Sequence, residues 1–437
     1  MATPYWNPYL ETLPRPQLDS IELRYFRRIL SYAQRNSSMY MEKLKGVQPE
    51  AVRSRADLRA LPLTEKEELR LFQEMDPHPY GGILGVHLRD VTTFRQTSGT
   101  TGKPVYVPET YESWQWRVEV WCQILYMAGF RPYHRVFLPF GYNVYVAFWE
   151  AHYAAEKLGC EVVPGGALDT HGRIHKILEV RANAVMCTPT YGMHMAEVAS
   201  SMGLEPTSLG LDRILCAGEP MPEATRRRLE DLFGCHVFDH IGGTEPCGWA
   251  GMCSEKKGLH IIEPFFLVEV LDPETLSREV EEGQMGIAVV TPLGRRSFPV
   301  IRFKTNDLVI KGPSSCRCGR TSHRIQEVVG RADELRKIRG VLFSPKTVEQ
   351  LLRAEFQEIG EYEILLTRRG SMDQVSLRAE ALPEVSPETI QNLSRRLDQR
   401  LKIATNLTFE VSIVSPGSLP RYTLKARRLK DMRGQDT

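Results

Sequence analysis

From Val136 onward, short apolar runs alternate with helix-length amphipathic segments, and no other feature of the chain restricts its fold as much. Val136 to Leu138, Glu161 to Val163, Ala184 to Cys187, Arg213 to Cys216 and His236 to Phe238 read as strands, with helical patterns between them. Val146 to Leu158 is one such helix, and Gly159 stands where a helix of that length should stop. Repeated strand-helix units predict a parallel, doubly wound α/β sheet. Ligands in such a sheet bind beyond the carboxyl ends of the strands, so the loops there carry the chemistry.

The chain has 437 residues, more than one compact core usually holds. The pattern changes after about residue 331. A strand at Leu335 to Ile338, a helix at Pro345 to Phe356, strands at Tyr362 to Thr367 and Val375 to Glu380, a helix at Pro387 to Ile403 and a strand at Phe409 to Val414 give the order βαββαβ. That order predicts a small ferredoxin-like α+β domain. The expected division is therefore a large domain over residues 1–331 and a small one over 332–437. At the other end, Leu23, Phe26, Ile29, Leu30 and Ala33 form one helical stripe from Leu18, behind Asp19 or Ser20 as cap. Only Glu279 to Gly283 and Lys425 to Lys430 have the charged composition of a flexible linker.

Charge excludes some functions. Lys+Arg number 56 and Asp+Glu 54, so no global field draws nucleic acid or anionic lipid, and any anion site must be local. The start Met-Ala-Thr-Pro-Tyr-Trp-Asn-Pro lacks the features of a signal peptide, and no apolar run is long enough to span a bilayer. The expectation is a cytoplasmic protein without membrane or nucleic-acid partners. Nine scattered cysteines suit reduced thiols and a metal site better than a disulfide framework.

Between the apparent strands Val91 to Phe94 and Val105 to Val107 lies Thr97-Ser98-Gly99-Thr100-Thr101-Gly102-Lys103-Pro104. Glycines let the backbone approach an anion, hydroxyls and amides donate to phosphate oxygens, and Lys103 adds a mobile positive charge. The segment is not a P-loop, because the glycine spacing differs, Pro104 replaces the magnesium-binding hydroxyl and a strand follows. A shorter Gly/Thr fragment would read as a solvated hairpin turn. The eight residues together resemble the phosphate loop of the adenylate-forming superfamily and, more narrowly, that of the phenylacetate-CoA ligase family. Trp6-Asn7-Pro8, Gly165-Gly166, Ala217-Gly218-Glu219-Pro220 and Gly258-Leu259-His260 extend the resemblance over nearly the whole chain.

The resemblance implies an ATP- and Mg²⁺-dependent ligase that joins an aromatic acid to coenzyme A through an acyl-adenylate. It assigns Thr97, Ser98, Gly99, Thr100, Thr101 and Gly102 to the phosphates, with Lys103 beside them. Gly218 and Glu219, and Asp239, Gly242 and Thr244 of the segment Asp239 to Glu245, become nucleotide contacts. Glu245 becomes the magnesium ligand, since a hard cation that bridges ATP phosphates takes carboxylate oxygen. Ile241 stands where the family usually has an aromatic residue. Asp307, in Arg302-Phe303-Lys304-Thr305-Asn306-Asp307, inherits the ribose, whose two hydroxyls suit an ionised carboxylate. Arg331 is assigned to the nucleotide, Asp333 to a hinge between two domain orientations, and Gly340 to the passage of the pantetheine arm. Lys425 matches the adenylation lysine, although Leu424 replaces a usual glycine. Its charge has a purpose: a carboxylate and an α-phosphate ~4 Å apart repel by roughly 4 kcal/mol at an effective dielectric of about 20, and a cation between them removes that barrier. Taken alone, Lys425 sits in a basic run of the kind that is usually solvated.

Cys253, His260, Cys316 and Cys318 would make a closed tetrahedral zinc site, with Cys247 an alternative ligand and ordinary core packing the competing reading of Cys253 and His260. The resemblance also implies that Tyr142, Ala217, Ile241 and Gly243 are acyl-pocket residues, and aromatic walls with small residues would suit a flat ring. Two other functions fit parts of this pattern: an adenylating enzyme that passes the acyl group to an amine or carrier-protein thiol, and a nonenzymatic zinc-ribbon or nucleotide-sensing protein that would need neither Lys425 nor a hinge. The family also implies a homodimer.

Overall fold

The computed structural model describes residues 3–97, 103–142, 146–339, 341–369, 372–383, 385–422, 426 and 428–433. The helix expected from Leu18 begins earlier, at Arg15, and runs to Asn36. Pro14 occupies the cap position and Asp19 pairs with Arg15 at 2.7 Å instead of capping. Leu18, Phe26, Ile29, Leu30 and Ala33 are buried along one side, as their spacing requires.

The Gly/Thr-rich segment joins two antiparallel strands, β1 (Thr93–Gln96) and β2 (Tyr106–Glu109). Among the described residues, the largest sheet contains eleven strands: β3 (Arg135–Leu138), β4 (Glu161–Pro164), β5 (Ala184–Cys187), β6 (Arg213–Cys216), β7 (His236–Gly243), β8 (Cys247–Met252), β9 (Leu259–Ile261), β10 (Phe266–Leu271), β11 (Met285–Pro292), β12 (Phe303–Gly312) and β13 (Arg324–Arg331). Their order is β10-β11-β12-β13-β9-β8-β7-β6-β5-β3-β4. The β4-β3-β5-β6 part is parallel and connected through helices, as the alternation predicts. From β7 onward the pairings β7-β8, β8-β9, β9-β13, β10-β11 and β11-β12 are antiparallel. The large sheet is therefore mixed. Helix Tyr111–Met127 packs its apolar residues Trp114, Val118, Trp121, Ile124 and Leu125 into the same core as Val136, Leu138, Phe238, Trp249 and Ala250.

The chain separates into two compact units. One comprises Met1–Cys187, Gly210–Ala217 and Phe238–Val329; the other comprises Thr188–Leu209, Gly218–Val237 and Gly330–Thr437. The second therefore takes in helices Pro189–Ser201 and Glu223–Phe233 as well as the C-terminal residues. The C-terminal part has its own sheet and core, as expected, but one of its four strands is not the one expected. Among the described residues, Arg336–Ile338 (β14) pairs only with Val341–Phe343 (β15), in an antiparallel register that sets Ile338 opposite Val341. The four-stranded sheet is β18-β17-β16-β19, built from β16 (Ile359–Arg369), β17 (Met372–Ala381), β18 (Glu410–Val414) and β19 (Leu429–Asp431). The basic stretch expected to be a linker thus ends in a strand parallel to β16. Glu279 is no linker residue either, since Arg55 and Lys311 hold it at 2.9 and 2.8 Å.

Candidate active site and metal centre

At the phosphate-loop candidate, Thr97 is buried and closes the β1-β2 hairpin from both sides. Its amide donates to the Val105 carbonyl at 3.0 Å, and its hydroxyl accepts from the Val105 amide at 2.9 Å. Lys103 is exposed and pairs with Glu74 at 2.5 Å, which raises its pKa. Ser98, Gly99, Thr100, Thr101 and Gly102, like Gly340 and Lys425, lie outside the described residues.

The segment Asp239 to Glu245 is not a loop after a short strand. β7 continues through it to Gly243 and turns back into β8. The hairpin is tight at Gly242, where a Cβ would come within 2.6 Å of Gly248 Cα and 2.8 Å of the Cys247 carbonyl oxygen. Asp239 and Ile241 are buried, Gly242 and Gly243 exposed, and Thr244 half-buried. Glu245 is buried at the turn with its Oε1 2.9 Å from Lys66 Nζ. Beneath the turn, the fully buried Arg117 donates to the Thr244 carbonyl at 3.2 Å and to Glu109 at 3.0 Å and Glu150 at 2.5 Å. His240 is buried against Trp121, with ring centroids 4.6 Å apart, and its Nδ1 lies 3.0 Å from the Cys216 carbonyl. Burial pushes the His240 pKa down to about 4, so the ring is neutral.

Asp307 lies within β12 and not at a strand end. The pairing register shifts between Ile287↔Leu308 and Val289↔Lys304, and Asn306 takes a left-handed φ of 64°. The two extra residues on β12 turn the strand locally, a device that re-aims a side chain. The Asp307 amide donates to Thr305 Oγ1 at 3.0 Å. Ahead of it, buried Arg302 forms a two-pronged pair with Glu269, both contacts at 2.8 Å.

Tyr142 is half-buried, its hydroxyl 2.7 Å from His152 Nδ1 and its ring edge-on to Trp149 at 4.8 Å. Phe140 stacks on Phe148 at 3.9 Å. Ala217 is half-buried and donates its amide to the Cys187 carbonyl. In the second unit, Gly218 has φ +83° and Glu219 accepts from main-chain amides. Arg331 grips Asp333 through two parallel hydrogen bonds of 2.9 and 2.8 Å.

The four zinc candidates converge: one ligand atom each from Cys253, His260, Cys316 and Cys318 lies within 4.8 Å of the others. Cys253 Sγ is 3.9 Å from Cys316 Sγ, and Cys318 Sγ is 3.3 Å from His260 Nε2. Tetrahedral ligands at zinc-sulfur distances of about 2.3 Å stand roughly 3.8 Å apart, so the spacing fits. His260 Nδ1 is 3.0 Å from Ser322 Oγ, which orients Nε2 toward the thiols. Cys247 is elsewhere, its thiol 3.3 Å from Glu150 Oε1.

The sequence matches the model of the AMP-binding enzyme over residues 35–290 and that of the AMP-binding enzyme C-terminal domain over 340–433. A phenylacetate-coenzyme A ligase of Thermus thermophilus is 31% identical, over 98% of this chain and 99% of that one. The chain belongs to the phenylacetate-coenzyme A ligase family of AMP-binding enzymes. A crystal structure of 2-hydroxyisobutyryl-CoA ligase in the postadenylation state with an acyl-adenylate is 28% identical. It covers 98% of this chain and 92% of its own, with a TM-score of 0.92. The same ligase with acyl-adenylate and CoA in the thioesterification state gives 0.74 over 99% and 93%.

Membership in this family directs attention to partners that reading the sequence missed. Lys66 is far from Glu245 along the chain, and nothing in its neighbourhood signals the pairing. Arg117 did leave a signal, as the one basic residue in the mostly apolar run Trp114 to Leu125. Ser322, four residues beyond Cys318, is too common a residue type to attract notice. Trp6 and Asn7 of the N-terminal motif have structural work: Trp6 Nε1 donates to Glu119 at 2.6 Å and Asn7 caps the amide of Leu10 at 3.1 Å.

Proposed function

We propose that this chain is an ATP-dependent aryl-coenzyme A ligase. The acid carboxylate attacks the α-phosphate of ATP and pyrophosphate leaves; the CoA thiol then attacks the acyl carbonyl and AMP leaves. The observation that carries this reading is the match of both AMP-binding models together with near-full-length similarity to phenylacetate-coenzyme A ligases.

In this reading residues 97–103 receive the triphosphate, Asp307 the ribose, and the strand-and-turn segment Asp239 to Glu245 the nucleotide and acyl groups. Glu245 would hold magnesium through the oxygen that does not face Lys66; the ion supplies charge neutralisation of the phosphates. Lys66 keeps the Glu245 carboxylate in place. Arg331 fixes Asp333 at the start of the C-terminal domain, where the hinge near residue 331 is assigned. Gly340 admits the pantetheine arm and Lys425 bridges the carboxylate and the α-phosphate. The aromatic residues Phe140, Tyr142 and Trp149 favour a flat acyl group. Cys253, His260, Cys316 and Cys318 would hold a structural zinc, a closed site that leaves no open position for chemistry. Nine free thiols suit a cytoplasmic location, and a homodimer is the assembly the family implies.

The test is pyrophosphate release over a panel of acids, with and without CoA. Phenylacetate, benzoate and 2-hydroxyisobutyrate belong in the panel, the last because the structural neighbour binds its adenylate. The expected result is release with an aryl acid and thioester formation when CoA is added. Release without thioester would move the acceptor to an amine or carrier protein, and no acid-dependent release would end the enzyme reading.

A further inference from the structure

Helix Pro189–Ser201 presents Thr190 and Glu197, seven residues and two turns apart, to the residues on either side of position 425. Before that position, Arg421 Nε lies 3.3 Å from Glu197, while its guanidinium also donates to Glu380 at 3.0 Å. Glu380 is fixed in turn by the amides of Gly417 and Leu419 at 2.8 and 3.1 Å. After that position, Ala426 donates its amide to Glu219 Oε1. Glu219 Oε2 accepts from the Thr190 amide in the first turn of the helix at 3.2 Å, where the free amides favour a carboxylate. The Thr190 hydroxyl accepts from Arg428 at 3.2 Å, and Arg428 grips Glu361 at 2.5 and 3.1 Å. Thr190 thus joins two anchors through one residue, its amide to Glu219 and its hydroxyl to Arg428.

Both oxygens of Glu219 are taken by main-chain amides, one on the helix and one on the C-terminal segment. A group held in this way is a brace between two pieces of chain. The carboxylate is deeply set, and burial raises its pKa, so losing it would leave two amides without their acceptor.

We infer that Glu219 and Thr190, with Glu197 and Arg428, form a clamp that positions the lysine-bearing segment for adenylate formation. They are positioning residues and act through the Arg421 guanidinium, the Ala426 amide and the Arg428 guanidinium. The inference rests on the adenylation role proposed for Lys425.

The experiment measures the two half-reactions separately in the full-length enzyme. One is pyrophosphate release with phenylacetate, or whichever panel acid releases most, in the absence of CoA. The other is thioester formation from the corresponding supplied acyl-adenylate and CoA. Glu219→Ala should slow the first by about 10- to 100-fold, with the KM for ATP unchanged and the second step retained. Thr190→Val should slow the first severalfold and Thr190→Ser should restore it, which keeps the test open if Glu219→Ala does not fold. A raised KM for ATP with unchanged turnover, or equal loss of both steps, overturns the clamp. Lys425→Ala, run alongside, separates the two ideas. If it loses adenylation while Glu219→Ala and Thr190→Val do not, only the clamp falls; if it keeps adenylation, the lysine role falls and the clamp with it.

Discussion

His240 shows how much a single residue's surroundings decide. A histidine beside an aspartate in a candidate active segment reads as an ionisable group, yet its ring is sealed between Trp121 and the Cys216 carbonyl. Its pKa in the folded protein is about 4, against ~6.5 when unfolded. Between those values the unfolded chain binds more protons, so stability contributed by the neutral ring is full above pH ~6.5 and falls as pH drops toward 4. The loss is expected to be on the order of 3 kcal/mol. Denaturant melts of the wild type and His240→Gln at pH 7 and pH 4.5 check this: the variant should lack that part of the acid sensitivity. Residue type and motif position were legible at His240, as at Glu245 and Asp307. Their partners were not, because Lys66, Trp121 and the β12 bulge are brought in by the sheet and not by local sequence.

At the scale of elements, the strands β3 to β6 and the helices between them follow from the apolar pattern, since β3, β5 and β6 are buried on both faces and β4 is the edge beside β3. The antiparallel half was not read from sequence, in part because β8, β10 and β11 are nearly all buried and carry no clean alternation. The zinc candidates belong to this half. Cys253 follows β8, His260 lies in β9, and Cys316 and Cys318 precede β13, so a bound ion would tie the β8-β9 and β9-β13 pairings together. Protein purified without added zinc should contain it near one equivalent by elemental analysis. Cys318→Ser or a strong chelator should remove it and lower the melting temperature by roughly 5 °C or more. Zinc-free protein with an unchanged melting temperature would leave the four residues as core.

For the whole molecule, the expectation is that one site serves two half-reactions, so a residue needed for one should be separable from the other. Lys425→Ala should therefore abolish pyrophosphate release and leave thioester formation from supplied acyl-adenylate largely intact. Equal loss of both would refute its assignment. No helix among the described residues is long and apolar enough to cross a membrane, in line with the hydropathy of the chain. By itself the sequence determined the α/β alternation, the existence of a C-terminal domain with its own sheet, the family and the four converging zinc candidates. Each of these depends on residue type and order, which are local properties. Tertiary structure alone decided that β7 runs on through the Asp239 to Glu245 segment, that Leu429–Asp431 and not Leu335 to Ile338 supplies the fourth strand of the C-terminal sheet, and that Glu219 braces the chain at Ala426. Those outcomes depend on which distant backbone groups find partners, and a buried amide or carboxylate accepts whichever partner the fold delivers.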